Sequence, residues 1–171
     1  MALTFPSPTV PLADRREVLL GYLDYFRSVV HDKVAGLPES DLRGSRLPSG
    51  WSPLELVRHL TAVERRWLEW GFLGRDVGDP WWDRRDDRWY VGADEPVAAV
   101  LAAFDEQAVR TRAIVLGASL DDIGRPSERW DGADPPTLER VLLHLVQEFA
   151  RHCGHLDVVR ELVDGTTGEG G

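Results

Sequence analysis

A chain of 171 residues with 43% hydrophobic and 29% charged content has the size and composition of one soluble domain with a single core. Its 29 acidic residues against 20 Lys+Arg leave a net charge of −9, a field that repels phosphate backbones and anionic membrane surfaces, so neither nucleic acid nor membrane is an expected partner. The single cysteine, Cys153, allows no internal disulfide and no multi-cysteine zinc site, and any metal must rest on His, Asp or Glu.

Residues 1–11, with Pro6, Pro8 and Pro11, read as an extended leader without the basic and apolar regions of a targeting segment. No apolar run approaches the roughly 20 residues of a membrane-spanning helix, and a cytoplasmic location is expected. A first helix is predicted over 12–35, where Val18, Leu19, Tyr22, Leu23, Phe26, Val29, Val30 and Val34 recur at steps of three and four before Gly36-Leu37-Pro38. The second has the clearest start in the chain. Ser52-Pro53-Leu54-Glu55 offers a hydroxyl cap, proline at the first helical position and a glutamate three residues after the cap. That helix is expected to reach Gly71 or Gly74, with His59 within or beside its stripe of Leu56, Val57, Leu60, Val63, Trp67 and Trp70.

From Gly74 to Asp94 the chain is too long for a tight connection and unusually rich in tryptophan. This loop either lines or covers a site, or its Trp81, Trp82 and Trp89 seal one end of the fold. A third helix is predicted over 95–117 with Asp94 as cap, and a fourth from the cap Thr137 to Gly165, followed by a flexible tail over 166–171. No strand-and-turn series stands out, so the expected class is all-α: a four-helix bundle over 12–165 with a long tryptophan-rich loop between helices two and three.

The chemistry concentrates on helix four. His144, Glu148 and His152 follow one another at steps of four and stack along one line, with His155 on a neighbouring line. This face borders Leu145, Phe149 and Leu156, which must point inward, and polar groups in a buried stripe need partners. A divalent ion serves Glu148 and His152 together, and His59 from the facing side of helix two is the natural third ligand. The alternative is that some of these histidines are core residues hydrogen-bonded to backbone or carboxylate. His31 pairs with nothing by spacing and reads as surface or packing.

The segments Leu56-Val-Arg-His59-Leu-Thr-Ala-Val-Glu64-Arg-Arg-Trp67 and Leu143-His-Leu-Val-Gln-Glu148-Phe-Ala-Arg-His152-Cys-Gly-His155-Leu-Asp157 resemble the DinB-like metal-binding superfamily. More narrowly, they resemble its actinobacterial branch related to the metal domain of mycothiol-dependent maleylpyruvate isomerase. The resemblance implies an antiparallel four-helix bundle holding a divalent metal, zinc first, with nickel, manganese or iron also suited to His59, Glu148 and His152. His155, where many relatives carry glutamine, then stands at the rim, with His144 and Glu64 as further candidates around the ligands. It also implies a low-molecular-weight thiol, mycothiol or a similar molecule, activated by the metal for attack on an electrophile, and a homodimer, because relatives often pair.

Arg151, Arg84, Arg85 and Arg88 are available to an anionic substrate or to the cosubstrate's polar groups. The isomerase has an additional C-terminal domain that the chain is not expected to have, so its own reaction is not carried over. Cys153, about 100° around the helix from His152, is not expected to be the nucleophile. Two other functions compete with a thiol transferase: a hydrolase using metal-activated water with Glu64 or His155 as proton acceptor, and a non-catalytic bundle that binds a metal or small molecule.

Overall fold

The computed structural model describes residues 3–9, 11 and 14–168. Parts of the expected leader and tail, and the expected helix start at Leu12, lie outside the described residues. The fold is mostly helical, with one minor two-strand sheet.

Helix α1 (Arg15–Val34) begins on Asp14, whose carboxylate accepts from the Arg16 amide at 2.8 Å. It buries Leu19, Leu20, Leu23, Arg27, Val30 and Val34, so Leu19, Leu23, Val30 and Val34 of the expected stripe face the core while Val18, Tyr22, Phe26 and Val29 are half-buried. A short helix α2 (Glu39–Arg43), not anticipated from the sequence, starts at Pro38 and buries only Leu42. Too short to show a period, it had no signal beyond a proline followed by acidic residues.

Helix α3 (Pro53–Glu64) starts with a complete capping box. Ser52 Oγ accepts from the Glu55 amide at 3.3 Å, and Glu55 Oε2 accepts from the Ser52 amide at 2.8 Å. Nearly every α3 residue is buried, polar ones included, which makes it the central element, packed against α1, α2, the later helices and the hairpin strand that carries Trp89. The helical path continues without a break, but over Arg65–Phe72 it loosens to π geometry. At Gly71 a Cβ would lie 2.8 Å from the Trp130 ring, so glycine lets that indole close on the π segment.

Between the π segment and helix α4 (Val97–Leu116), strands β1 (Arg84–Arg85) and β2 (Arg88–Trp89) form a small antiparallel hairpin inside the tryptophan-rich connection. Helix α4 starts later than expected. Pro96 occupies its cap position with no side-chain hydrogen bond, so Asp94 does not cap it. Helix α5 (Leu138–Asp164) starts as expected on Thr137 and ends at Gly165, whose φ of 74° is the left-handed stop that glycine accepts readily. Helix α1 packs chiefly on α5, and α3 packs on α4 and α5. Phe104 of α4 stacks on Phe149 of α5 at 6.1 Å in the middle of the core.

Glu64, at the end of α3, is fully buried. Arg27 donates to its carboxylate through Nε at 3.1 Å and Nη2 at 2.7 Å, and Thr111 donates through its hydroxyl. Arg27 is held in turn by Asp24 at 2.8 Å. One network thus joins α1, α3 and α4. Removing one member of a buried pair leaves an uncompensated charge, so Glu64→Gln is expected to cost about 3 kcal/mol in urea unfolding. A loss within ~0.5 kcal/mol would show that the pair contributes little.

Candidate metal centre

His59 from α3 and Glu148 and His152 from α5 meet with their ligand atoms all within 4.8 Å of one another. His59 Nε2 lies 4.0 Å and His152 Nε2 3.5 Å from the same oxygen, Glu148 Oε2. Both histidines are buried and Glu148 is half-buried. Tetrahedral bonds of the usual length separate neighbouring zinc donors by about 3.3–3.6 Å, so the three side chains need only a small adjustment to share one ion.

Each histidine points its other ring nitrogen at a partner. His59 Nδ1 lies 3.2 Å from Asp83 Oδ2, and His152 Nδ1 lies 3.2 Å from His155 Nδ1. Asp83 comes from the tryptophan-rich connection and is fully buried. Arg66, seven residues and two turns beyond His59, donates to it at 2.5 and 3.3 Å. The Asp83 carboxylate is where the connection is tied to the central helix, and no local pattern separates it from Asp76, Asp79, Asp86 or Asp87 in the sequence.

The tryptophans of the connection make different contacts, residue by residue. Trp89 stacks on His59, centroids 4.1 Å apart, and meets His152 edge-on at 5.4 Å. Trp82 takes the Arg58 guanidinium on its face at 4.6 Å, and Trp81 takes Arg66 at 4.5 Å, so these two cover arginines that lie under the loop.

His144 lies 3.6 Å from Glu148 Oε1 and packs on Trp67 at 4.1 Å. Trp67 carries Arg129 over its ring at 4.0 Å. Arg129, from the α4–α5 connection, went unnoticed in the sequence. Its Nε is buried without a hydrogen-bond partner. Glu64 is not among these groups, being committed to Arg27 and Thr111, so it is unavailable as a proton acceptor here. Arg84, Arg85, Arg88 and Arg151 are exposed, and His31 is a surface residue 2.6 Å from Asp105. Cys153 donates weakly to the Phe26 carbonyl at 3.5 Å, and burial, helped by Asp157, pushes its thiol up to about 12. It is a packing residue, as expected.

Burial holds His59, His144 and His155 below the usual histidine range; Asp83 opposes this for His59 and Glu148 opposes it for His144. The hydrogen bond with His152 draws Glu148 below the ordinary carboxylate range against its burial. For Asp83, burial acts upward as the largest single cause, but the contacts with His59 and Arg66 together prevail and lower it. These directions favour neutral His59, His144 and His155 beside ionised Glu148 and Asp83, the protonation state in which such groups meet a cation.

A family model described as mycothiol-S-transferase matches residues 18–165, which include every residue of this centre. No curated protein matches the chain.

Because the folded chain resists protonating His59, His144 and His155, the unfolded chain binds more protons below the ordinary histidine range. Stability should rise with pH through that range and fall on acidification. The urea midpoint of the metal-free protein is accordingly expected to drop between about pH 7.5 and about pH 5.5. A level midpoint would mean that these rings protonate freely in the folded chain.

Proposed function

The chain belongs to the mycothiol S-transferase family, within the DinB-like superfamily, and on that premise we propose that it is a divalent-metal-dependent enzyme. In this reading mycothiol, or a similar low-molecular-weight thiol, attacks an electrophilic small molecule. Its fold is then the family's antiparallel four-helix bundle, built from α1, α3 with its π extension, α4 and α5, and its location is the cytoplasm. The reading is carried by the meeting of His59, Glu148 and His152 within 4.8 Å, on helices far apart in sequence. Nitrogen and oxygen donors of this kind suit zinc first, with nickel, manganese and iron compatible.

A divalent ion held there supplies the charge that keeps a coordinated thiol deprotonated at neutral pH. The chain's own residues prepare for it. With Nδ1 protonated, His59 donates to Asp83 and keeps Nε2 free as a donor atom, and the same tautomer of His152 donates to His155 Nδ1. Glu148 contributes the set's single negative charge, so two neutral imidazoles and one carboxylate leave room for an anionic sulfur. Trp89 covers the imidazoles of His59 and His152 and limits water at their faces. Arg129, unpaired over Trp67, offers its guanidinium to an anionic group on the electrophile. Since Cys153 stays protonated, the nucleophilic sulfur comes from the cosubstrate.

Metal-replete protein given mycothiol and a panel of electrophiles is expected to consume the thiol, and to bind about one ion per chain by elemental analysis. Glu148→Gln and His152→Ala should lose both properties. Thiol consumption that persists undiminished in the metal-free protein, or electrophile turnover without any thiol, would overturn the proposal. Asp83→Asn, which removes the charge facing His59, should weaken metal binding by about 10–100-fold in a chelator competition while Glu148 and His152 remain in place.

A further inference from the structure

Trp89 belongs to a second space besides the metal centre. With Trp51, Gly50, Arg84, Asp87 and Arg88 it lines a cavity of about 260 Å³. Trp51 and Trp89 meet there as an aromatic corner, 6.1 Å apart and inclined at 54°. Both also touch the metal centre, Trp89 against His59 and His152, and Trp51 against His155 at 5.8 Å. The two spaces therefore share their aromatic walls.

The rim of the cavity is built at some conformational cost. Asp86 and Asp87 form the two-residue turn of the hairpin with φ of 52° and 58°, a left-handed geometry for which glycine is the usual residue. Across the cavity Gly50 has φ of 82°, and a Cβ there would collide with the Arg88 guanidinium. Arg88 reaches only a distant backbone carbonyl, that of Ser49 at 3.5 Å. Among the described residues no ion pair engages Arg84, Asp87 or Arg88. Donors and acceptors thus stand side by side at an aromatic corner, without satisfying one another.

This combination selects a ligand class. An apolar molecule would desolvate the arginines and the aspartate without replacing their hydrogen bonds. A phosphate would meet Asp87 and Glu55 along with the arginines. A polyhydroxylated ring fits both features: its C–H faces pack on indole, while each hydroxyl donates to a carboxylate and accepts from a guanidinium. The volume lies below the ~300–1,000 Å³ of sites that enclose whole drug-sized ligands, and so suits one ring of a larger molecule.

We propose that the cavity between Trp51, Asp87, Arg88 and Trp89 is the subsite for the polyhydroxylated ring portion of the thiol cosubstrate, whose sulfur reaches past Trp89 to the metal centre. The assignment rests on the transferase reading for the identity of that cosubstrate, mycothiol being a cysteine derivative of a sugar–cyclitol conjugate. The ring subsite itself requires no metal.

The probe is the cysteine-free glucosaminyl-inositol conjugate, titrated into the full chain with and without zinc and followed by tryptophan fluorescence. Saturable binding in both states is expected, weakened about tenfold or more in Trp51→Ala. Asp87→Gly separates recognition from folding: glycine suits the turn, so the variant should melt no lower than the parent yet bind the probe more weakly. Gly50→Ala, which displaces Arg88, should do the same to binding. If the conjugate binds but no thiol is ever transferred, the subsite stands and the transferase reading falls. If mycothiol is transferred with KM unchanged in Trp51→Ala and Asp87→Gly, or N-acetylcysteine serves as well as mycothiol, the subsite falls and the transferase reading stands. No binding of the conjugate by the parent protein also overturns the subsite.

Discussion

The carboxylate of Asp83 is the constraint on which the site depends. A fully buried carboxylate is tolerable only when its charge is matched and its lone pairs are filled, and Arg66 and His59 meet both requirements from one helix. Three consequences follow from that one placement. The connection after the π segment cannot drift from α3, the His59 ring is turned so that Nε2 faces Glu148, and the hairpin is delivered with Trp89 flat against the imidazole. An aspartate six residues before Trp89 thereby fixes both a candidate ligand and the wall beside it.

Helix α3 explains why so much polar chemistry is found inside. A helix buried all round is ordinarily apolar all round, yet this one and its π extension bury Arg58, His59, Glu64 and Arg66. Each has an internal answer: Glu95 and the face of Trp82 for Arg58, Asp83 for His59 and Arg66, Arg27 and Thr111 for Glu64. The π segment widens the helix where these demands crowd together and where Trp67 must reach His144. Two of the partner groups come from other helices and three from the connection that follows, so the central helix organises the fold through its polar residues as well as its leucines.

What the sequence made legible was what is local. The capping box at Ser52, the stop at Gly165, the α1 stripe and the alignment of His144, Glu148 and His152 each rest on residues within a turn or two of one another. His59 was legible because it interrupts an inward-facing stripe. The site residues that escaped notice act across the chain. Asp83 is one aspartate among six in its connection, Arg129 is one arginine among many, and the Asp86-Asp87 turn lacks the glycine that announces a hairpin. The expectation for Glu64 failed for a reason available in the sequence: five residues past His59 is about 140° around the helix, a different face. The π geometry had no signature to read.

The acidic character of the chain takes on a different meaning at this site. A net charge of −9 disfavours the approach of an anion to the surface as a whole. Around the candidate metal centre Arg58, Arg66, Arg84, Arg88 and Arg129 gather on the aromatic faces and loop edges among the carboxylates, and only Arg58 and Arg66 pair with one. Arginine suits this arrangement because its planar cation stacks on indole while keeping its charge, which a lysine ammonium does less well. Trp67, Trp81 and Trp82 hold their guanidiniums at 4.0 to 4.6 Å, so the positive charge is fixed in position and partly shielded from water. Arg129, half-buried over Trp67 and without a carboxylate partner among the described residues, is a positive charge fixed beside the site of an acidic protein, where the thiol chemistry proposed here brings an anionic group.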